Sequence, residues 1–300
     1  MALRKFRKTF IGVLIVIALG SFCAVHAQDE DDSKEVKAQI FVNSRQRRKS
    51  GNPAKYRRVS KTIVKGIELS EKNNSLAQIG LTIWRFRPTQ ASDQTKEIVV
   101  EEDDKPSEWT LERVEEGTSL APGQRIRLSI ESLSRDGYLY VIDREEYADG
   151  ALGDPVLVFP TQKTAASNYV QAGRLIYIPS ATSRFKIKPS ESAKEHIAEV
   201  LTVIIAPKPL ISGDRVGAKF TRLRRIQVED WLNRWQTSVV KFEMDDGAGQ
   251  VMTGIEQSAA RHNSVLLTQE DPAPQTVFQV AAKPGAPLLI TVPLKFAKQN

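Results

Sequence analysis

Gly123-Gln124-Arg125-Ile126-Arg127-Leu128-Ser129-Ile130-Glu131-Ser132, followed by Asp136-Gly137-Tyr138-Leu139-Tyr140-Val141-Ile142-Asp143, decides the fold class. Ile126, Leu128 and Ile130 alternate with Arg125, Arg127, Ser129 and Glu131. A period of two places the first set on an apolar face and the second on a face toward water. The second run is rich in aromatic and β-branched residues, which suit a half-buried strand. Asp136-Gly137 between them predicts a tight turn, because glycine accepts a positive φ without steric cost. The pair is expected to form the central hairpin of a mainly β protein.

Similar runs lie on both sides. Upstream are Ile79–Phe86, Lys96–Val100 and Glu108–Val114, with Pro88 closing the first. Downstream are Val156–Pro160, Arg174–Pro179, Arg184–Lys188 and Val200–Ala206, fenced by Gly, Pro, Asn or Ser. Short strands at this spacing, with few helical patterns between them, predict a β-sandwich-like body. Ser190–Ala198 reads as a short helix or a long turn. After Leu210 the period changes: Val228, Trp231, Leu232, Trp235 and Val239 fall on one helical stripe, with Glu229 and Asp230 in its first turn. Gly254–Ala260 reads as a weaker helix. Thr276–Ala281 and Leu288–Phe296, joined by Lys283-Pro284-Gly285, predict a terminal hairpin whose Pro293 marks an edge.

The chain begins with Arg4, Lys5, Arg7 and Lys8, an apolar run from Thr9 to Cys23, and the small-residue site Val25-His26-Ala27. This order predicts a signal peptide over residues 1–27, cleaved before Gln28, and an exported protein of the periplasm or exterior. Retention as an anchor is the alternative, though the run is short for a span. The single cysteine, Cys23, would leave with the signal. A mature chain without cysteine has no disulfide, thiol nucleophile or thiolate metal site, so burial must hold it together. The expected divisions are a charged flexible leader over 28–75, a β-sandwich over 76–211, and a helix-plus-hairpin extension over 212–300 packed on the β domain. Apolar residues near the join, such as Leu210, Ile211, Val216 and Phe220, favour packing over a flexible link.

The whole chain carries 43 Lys and Arg against 36 Asp and Glu. Its mature positive excess is concentrated in Arg45, Arg47, Arg48, Lys49, Lys55, Arg57, Arg58 and Lys61, with no acid between them. Such a run reads as a solvated tether or as a contact for an anionic envelope polymer. Export and the lone aromatic within it, Tyr56, argue against nucleic acid. Arg45, Arg47, Arg48, Lys49, Arg57 and Arg58 are the candidate contacts.

The ordered fragments Gly123-Gln124-Arg125, Gly137–Val141, Val158-Phe159-Pro160, Ala172-Gly173, Ile178-Pro179 and Ala206–Leu210 resemble the bacterial domain-of-unknown-function family four-three-eight-four. The resemblance covers about Trp109 to Ile211. It implies an exported, β-rich accessory module of a kind also found beside caspase-like peptidase and kinase modules. It carries over no catalytic residue.

Chemistry is sparse. His196 and His262 lie outside any metal-ligand spacing, and no G-x-S-x-G elbow occurs. Ser183-Arg184-Phe185-Lys186 matches S-x-x-K without the partner motifs that chemistry needs. The acidic loop 101–104 lacks the spacing of a calcium loop. Asp143, Glu145 and Glu146 are the best carboxylates for a hydrolase of an envelope polymer, the alternative to a noncatalytic interaction protein. Neither a metal nor a cofactor is expected. Tyr138 and Tyr140 share one face; they form either a flat aromatic binding patch or core beneath a helix. An envelope protein is the other expected partner, and no span is expected after signal cleavage.

Overall fold

Alternation along the strands is realised as two sheets with apolar faces turned toward each other. The computed structural model describes residues 36–37, 54–62, 75–100, 105–164, 168–188, 195–261, 267–268 and 271–297. All lie within one compact unit, residues 33–300. In chain order the strands are β1 (Val36–Lys37), β2 (Lys55–Thr62), β3 (Ser75–Pro88), β4 (Glu97–Val100), β5 (Pro106–Val114), β6 (Arg125–Ser132), β7 (Gly137–Asp143), β8 (Glu145–Tyr147) and β9 (Val156–Phe159). Then come β10 (Tyr169–Val170), β11 (Leu175–Ile178), β12 (Phe185–Lys186), β13 (His196–Ala206) and β14 (Thr221–Arg222). Helix α1 (Arg225–Trp235), β15 (Val239–Met244), α2 (Gly254–Arg261), β16 (Thr276–Ala282) and β17 (Leu288–Lys295) complete the order.

The first sheet runs β1-β2-β15-β16-β3-β5-β4, with β6 on the other edge of β3 and β11 and β12 beyond β6. The long strand β3 organises it. Its residues pair with β16 and then β5 along one edge, and with β6 from Ile79 to Arg85 along the other. The second sheet runs β14-β9-β7-β13-β17, with β8 continuing along β13 and β10 against β7. Named strands pair antiparallel in both sheets. The mainly β, sandwich-like class read from the sequence is what forms.

The central hairpin does not form. β6 and β7 belong to different sheets, so Leu133–Asp136 carries the chain across the sandwich. Ile126, Leu128 and Ile130 of β6 instead face Leu139 and Val141 of β7 within one core. Alternation specifies the face a strand buries, not the neighbour to which it bonds. Gly137 is also required for a different reason: its φ is not positive, but a Cβ there would lie 2.7 Å from the Ala206 carbonyl oxygen. The terminal hairpin is corrected in the same way. β16 joins the first sheet and β17 the second, with Phe278, Val280, Leu288, Ile290 and Val292 in the shared core.

Nor is the second face of β6 wet. Arg127 and Glu131 are fully buried and Ser129 nearly so. This face of the first sheet packs Trp84, Phe86, Leu111 and Tyr177 with Met252, Ala259 and Leu267. Arg127 makes two bonds to Glu97, at 2.7 and 2.9 Å, and its guanidinium lies 5.0 Å from the Phe86 ring centre. Arg113 pairs with Glu256 of α2 and stands over Trp84. Trp84 Nε1 donates to Ser129 Oγ at 3.0 Å. A charged layer can be buried this way because each cation meets a carboxylate or an aromatic face.

The outer face of the second sheet lies beneath α1, whose Val228 and Trp231 pack on Tyr140, Ile142, Leu157 and Ile204. Trp231 and Trp235 stack at 5.7 Å. The helix stops at Trp235, and Val239, expected on its stripe, opens β15 instead. Part of the expected leader is also sheet. β2 pairs with β15, Tyr56 is buried, and its hydroxyl donates to Pro274 O. The C-terminal segment supplies strands to both sheets, so it completes one β body with the segment before it.

Candidate site at the end of the second sheet

The inward stripe of β7 is Leu139, Val141 and then Asp143. At Asp143 the stripe changes from apolar to acidic. Arg144 and Val200 exchange backbone bonds of 3.2 and 2.8 Å, which fixes Glu145 opposite Glu199. Antiparallel partners and residues two apart share a face, so Asp143, Glu145 and Glu199 all emerge inward. They border a cavity of about 410 Å³ with Val156, Val158, Phe185 and Tyr147. The site is the end of the sandwich interior, where the apolar filling gives way to polar side chains.

Asp143 and Glu199 face one another closely enough to perturb each other's titration. Burial raises both pKa values. For Glu199 the Asp143 charge adds to burial, and Glu145 raises it further. Asp143 is partly held down by the Arg144 backbone amide, so Glu199 is the carboxyl that holds a proton more firmly. Asp143 Oδ1 and Glu199 Oε2 are buried without a hydrogen-bond partner. The Tyr147 hydroxyl donates to Glu145 Oε2. His196 Nε2 lies 3.0 Å from Ala198 O and 3.4 Å from Glu199 Oε1, while its ring meets Phe296 edge-on at 4.6 Å.

The structure thus brings together Asp143 and Glu145, but not Glu146, which pairs opposite Ala198. Glu199 is the member that sequence reasoning missed. Its signal was an acid in the same register as Leu201, Val203 and Ile205 of β13. His196 lies beside the acids, whereas His262 and the loop 101–104 fall outside the described residues. Among the described residues, no group of three or more His, Cys, Asp or Glu side chains is arranged to hold a metal. Ser183 and Lys186 are not presented on a helix: Phe185–Lys186 is a strand, and Ser183 O accepts from Arg127 Nε.

Tyr138 and Tyr140 do not make a flat exposed patch. Tyr140 is 1% exposed beneath α1, and its hydroxyl accepts from the Leu210 amide. Tyr138 is half-buried and meets Tyr169 edge-on at 5.1 Å. Of the basic run, Arg57 and Arg58 are exposed on β2, and Arg57 is engaged by Glu115 and Asp245. Arg45, Arg47, Arg48 and Lys49 lie outside the described residues. Among the described residues no helix is long and apolar enough to cross a membrane.

No family model, no curated protein and no solved structure matches the chain.

Proposed function

We propose that the chain is an exported, noncatalytic interaction module of the bacterial envelope, with an envelope protein or anionic polymer as its partner. The observation that carries this reading is the state of the acids at the cavity. Asp143 and Glu199 are buried beside one another with raised pKa values, and Glu145 is engaged by Tyr147. The order of residues 1–27 supports export, and the resemblance of Trp109–Ile211 to an exported accessory family agrees with it.

A hydrolase of an envelope polymer is the second reading. It is favoured by the convergence of three carboxylates on one cavity, since a carboxyl that keeps its proton beside another acid is also a starting point for acid–base chemistry. Incubating the 300-residue chain with isolated envelopes, followed by cross-linking and fragment analysis, separates the two. The interaction reading expects a reproducible cross-linked partner and no release of soluble fragments, with Glu199→Gln behaving as the parent does. Fragments released by the parent and not by Glu199→Gln would replace it with the hydrolase.

A further inference from the structure

Four acids border one cavity, and only part of their charge is compensated. Asp143, Glu145, Asp154 and Glu199 line the space at the end of the second sheet. Asp154 is held by Arg225 at 2.9 Å, and Glu145 accepts from the Tyr147 hydroxyl. Glu199 Oε1 has His196 Nε2 at 3.4 Å, a counter-charge only when the ring is protonated. Among the described residues Asp143 makes no ion pair, and its Oδ1, like Glu199 Oε2, is closed to solvent without a hydrogen-bond partner. An enclosed carboxylate without a counter-charge is costly to the fold.

Two arginines border the same cavity without neutralising Asp143. Asp143 stands opposite Val156, and Val156 opposite Arg222, so Arg222 shares the inward face with the acids. It is nevertheless exposed and makes no ion pair among the described residues. Arg144 follows Asp143 directly and projects to the opposite face. The remaining walls are those that receive an organic cation. Tyr147, Phe185 and Phe220 border the space with Val156 and Val158, and Phe220 is 58% exposed. Aromatic faces attract cations, and apolar walls pack an aliphatic stem whose charged head lies among acids. The volume of about 410 Å³ falls in the range of roughly 300–1,000 Å³ typical of small-molecule sites.

We propose that this cavity receives a primary alkylammonium group, with Asp143 as its counter-charge and the aromatic and valine side chains against its stem. An ammonium carries all its donors at one point, so it can meet carboxyls that arrive from β7, β8 and β13. A guanidinium fork instead matches the two oxygens of a single carboxylate. The group is the side chain of a lysine on a partner protein or the amine of a small soluble molecule. This gives a chemistry to the protein partner of the interaction module and rests on that reading for its biological sense. Its test reads amine binding alone, so either idea can fail without the other.

The test is a titration of the isotopically labelled 300-residue chain with n-butylammonium chloride at constant ionic strength and about pH 8, where the amine stays charged, followed by amide resonances. Saturable shifts are expected at Arg144 and Val200, whose amides adjoin the acids. The neutral counterpart, n-butanol, is expected to leave them unmoved. Asp143→Asn is expected to weaken binding by about tenfold to a hundredfold, the range of one hydrogen bond to a charged group. Phe220→Ala, which removes an exposed ring, is expected to weaken it by about twofold to fivefold. A blocked lysine tripeptide that binds more tightly than n-butylammonium would assign a partner protein as the source, and tighter binding of 1,5-diaminopentane than of the tripeptide a small soluble amine. Absence of saturable shifts at Arg144 and Val200, equal shifts with n-butanol, or parental affinity in Asp143→Asn would overturn the proposal. Should Asp143→Asn not fold, parental affinity in Phe220→Ala would overturn it.

Discussion

Glu97→Ala is expected to be among the most damaging single changes on the outer face of the first sheet. The side chain of Arg127 is entirely buried and that of Glu97 is 17% exposed. Truncating the acid removes two charge-assisted bonds and leaves a guanidinium without its counter-charge. Breaking a buried pair from one side costs about 3–5 kcal/mol. Arg127 keeps its bond to Ser183 O and its place against Phe86, which puts the expected loss near about 3 kcal/mol, the low end of that range. For a domain of this size that corresponds to a fall in melting temperature of about 6–12 °C. The double replacement Glu97→Leu with Arg127→Met removes both charges and is expected to recover most of the loss. Urea denaturation followed by tryptophan fluorescence measures each step, and Trp84 lies in the affected layer. A loss below about 1 kcal/mol for Glu97→Ala, the scale of an exposed pair, would refute burial of this face.

Further outcomes concern the acid pair and the packing of the second sheet. Asp143 and Glu199 have raised pKa values, so between the ordinary carboxylate range and their raised values the folded chain holds more protons than the unfolded one. Stability from this pair is therefore greatest in acid and declines as pH rises from about 4 through the neutral range. Glu199→Gln is expected to flatten that decline in denaturant melts taken across pH, and an unchanged slope would count against a raised Glu199 pKa. Gly137→Ala drives a Cβ to 2.7 Å from the Ala206 carbonyl and is expected to cost about 1–3 kcal/mol by urea melt. A neutral result would mean that β7 and β13 are not so close. Trp231→Ala empties the contact between α1 and the sheet and is expected to cost about 3–5 kcal/mol, while near-parental stability would show that the helix is not docked there.

The longer core strands were legible because each buries at least one apolar face, and alternation records that face. Ile79–Phe86 lies within β3, and Val200–Ala206 forms the end of β13. Partners were not legible. β6 and β7, and likewise β16 and β17, follow one another in sequence but bury their stripes against each other from opposite sheets. Arg127 and Glu131 looked solvated because burial of a charged face depends on distant partners, Glu97 and the α2 layer among them. The strand β2 was hidden by its own charge: of its residues only Tyr56 is buried, and β15 supplies the pairing edge. Half of the acid site could be read, since Asp143 and Glu145 stand two apart. Glu199 arrives from β13, more than fifty residues along the chain, through a register that only the folded sheet provides.

Cross-strand amide and α-proton contacts measured by nuclear magnetic resonance test the placement of β6 and β7 most directly. A ladder joining Val141 to Val203 and another joining Ile130 to Leu81, with none between β6 and β7, is the predicted pattern. A continuous ladder running from Ser132 and Gly137 outward between β6 and β7 would contradict it and would dissolve the inward face on which Asp143, Glu145 and Glu199 meet.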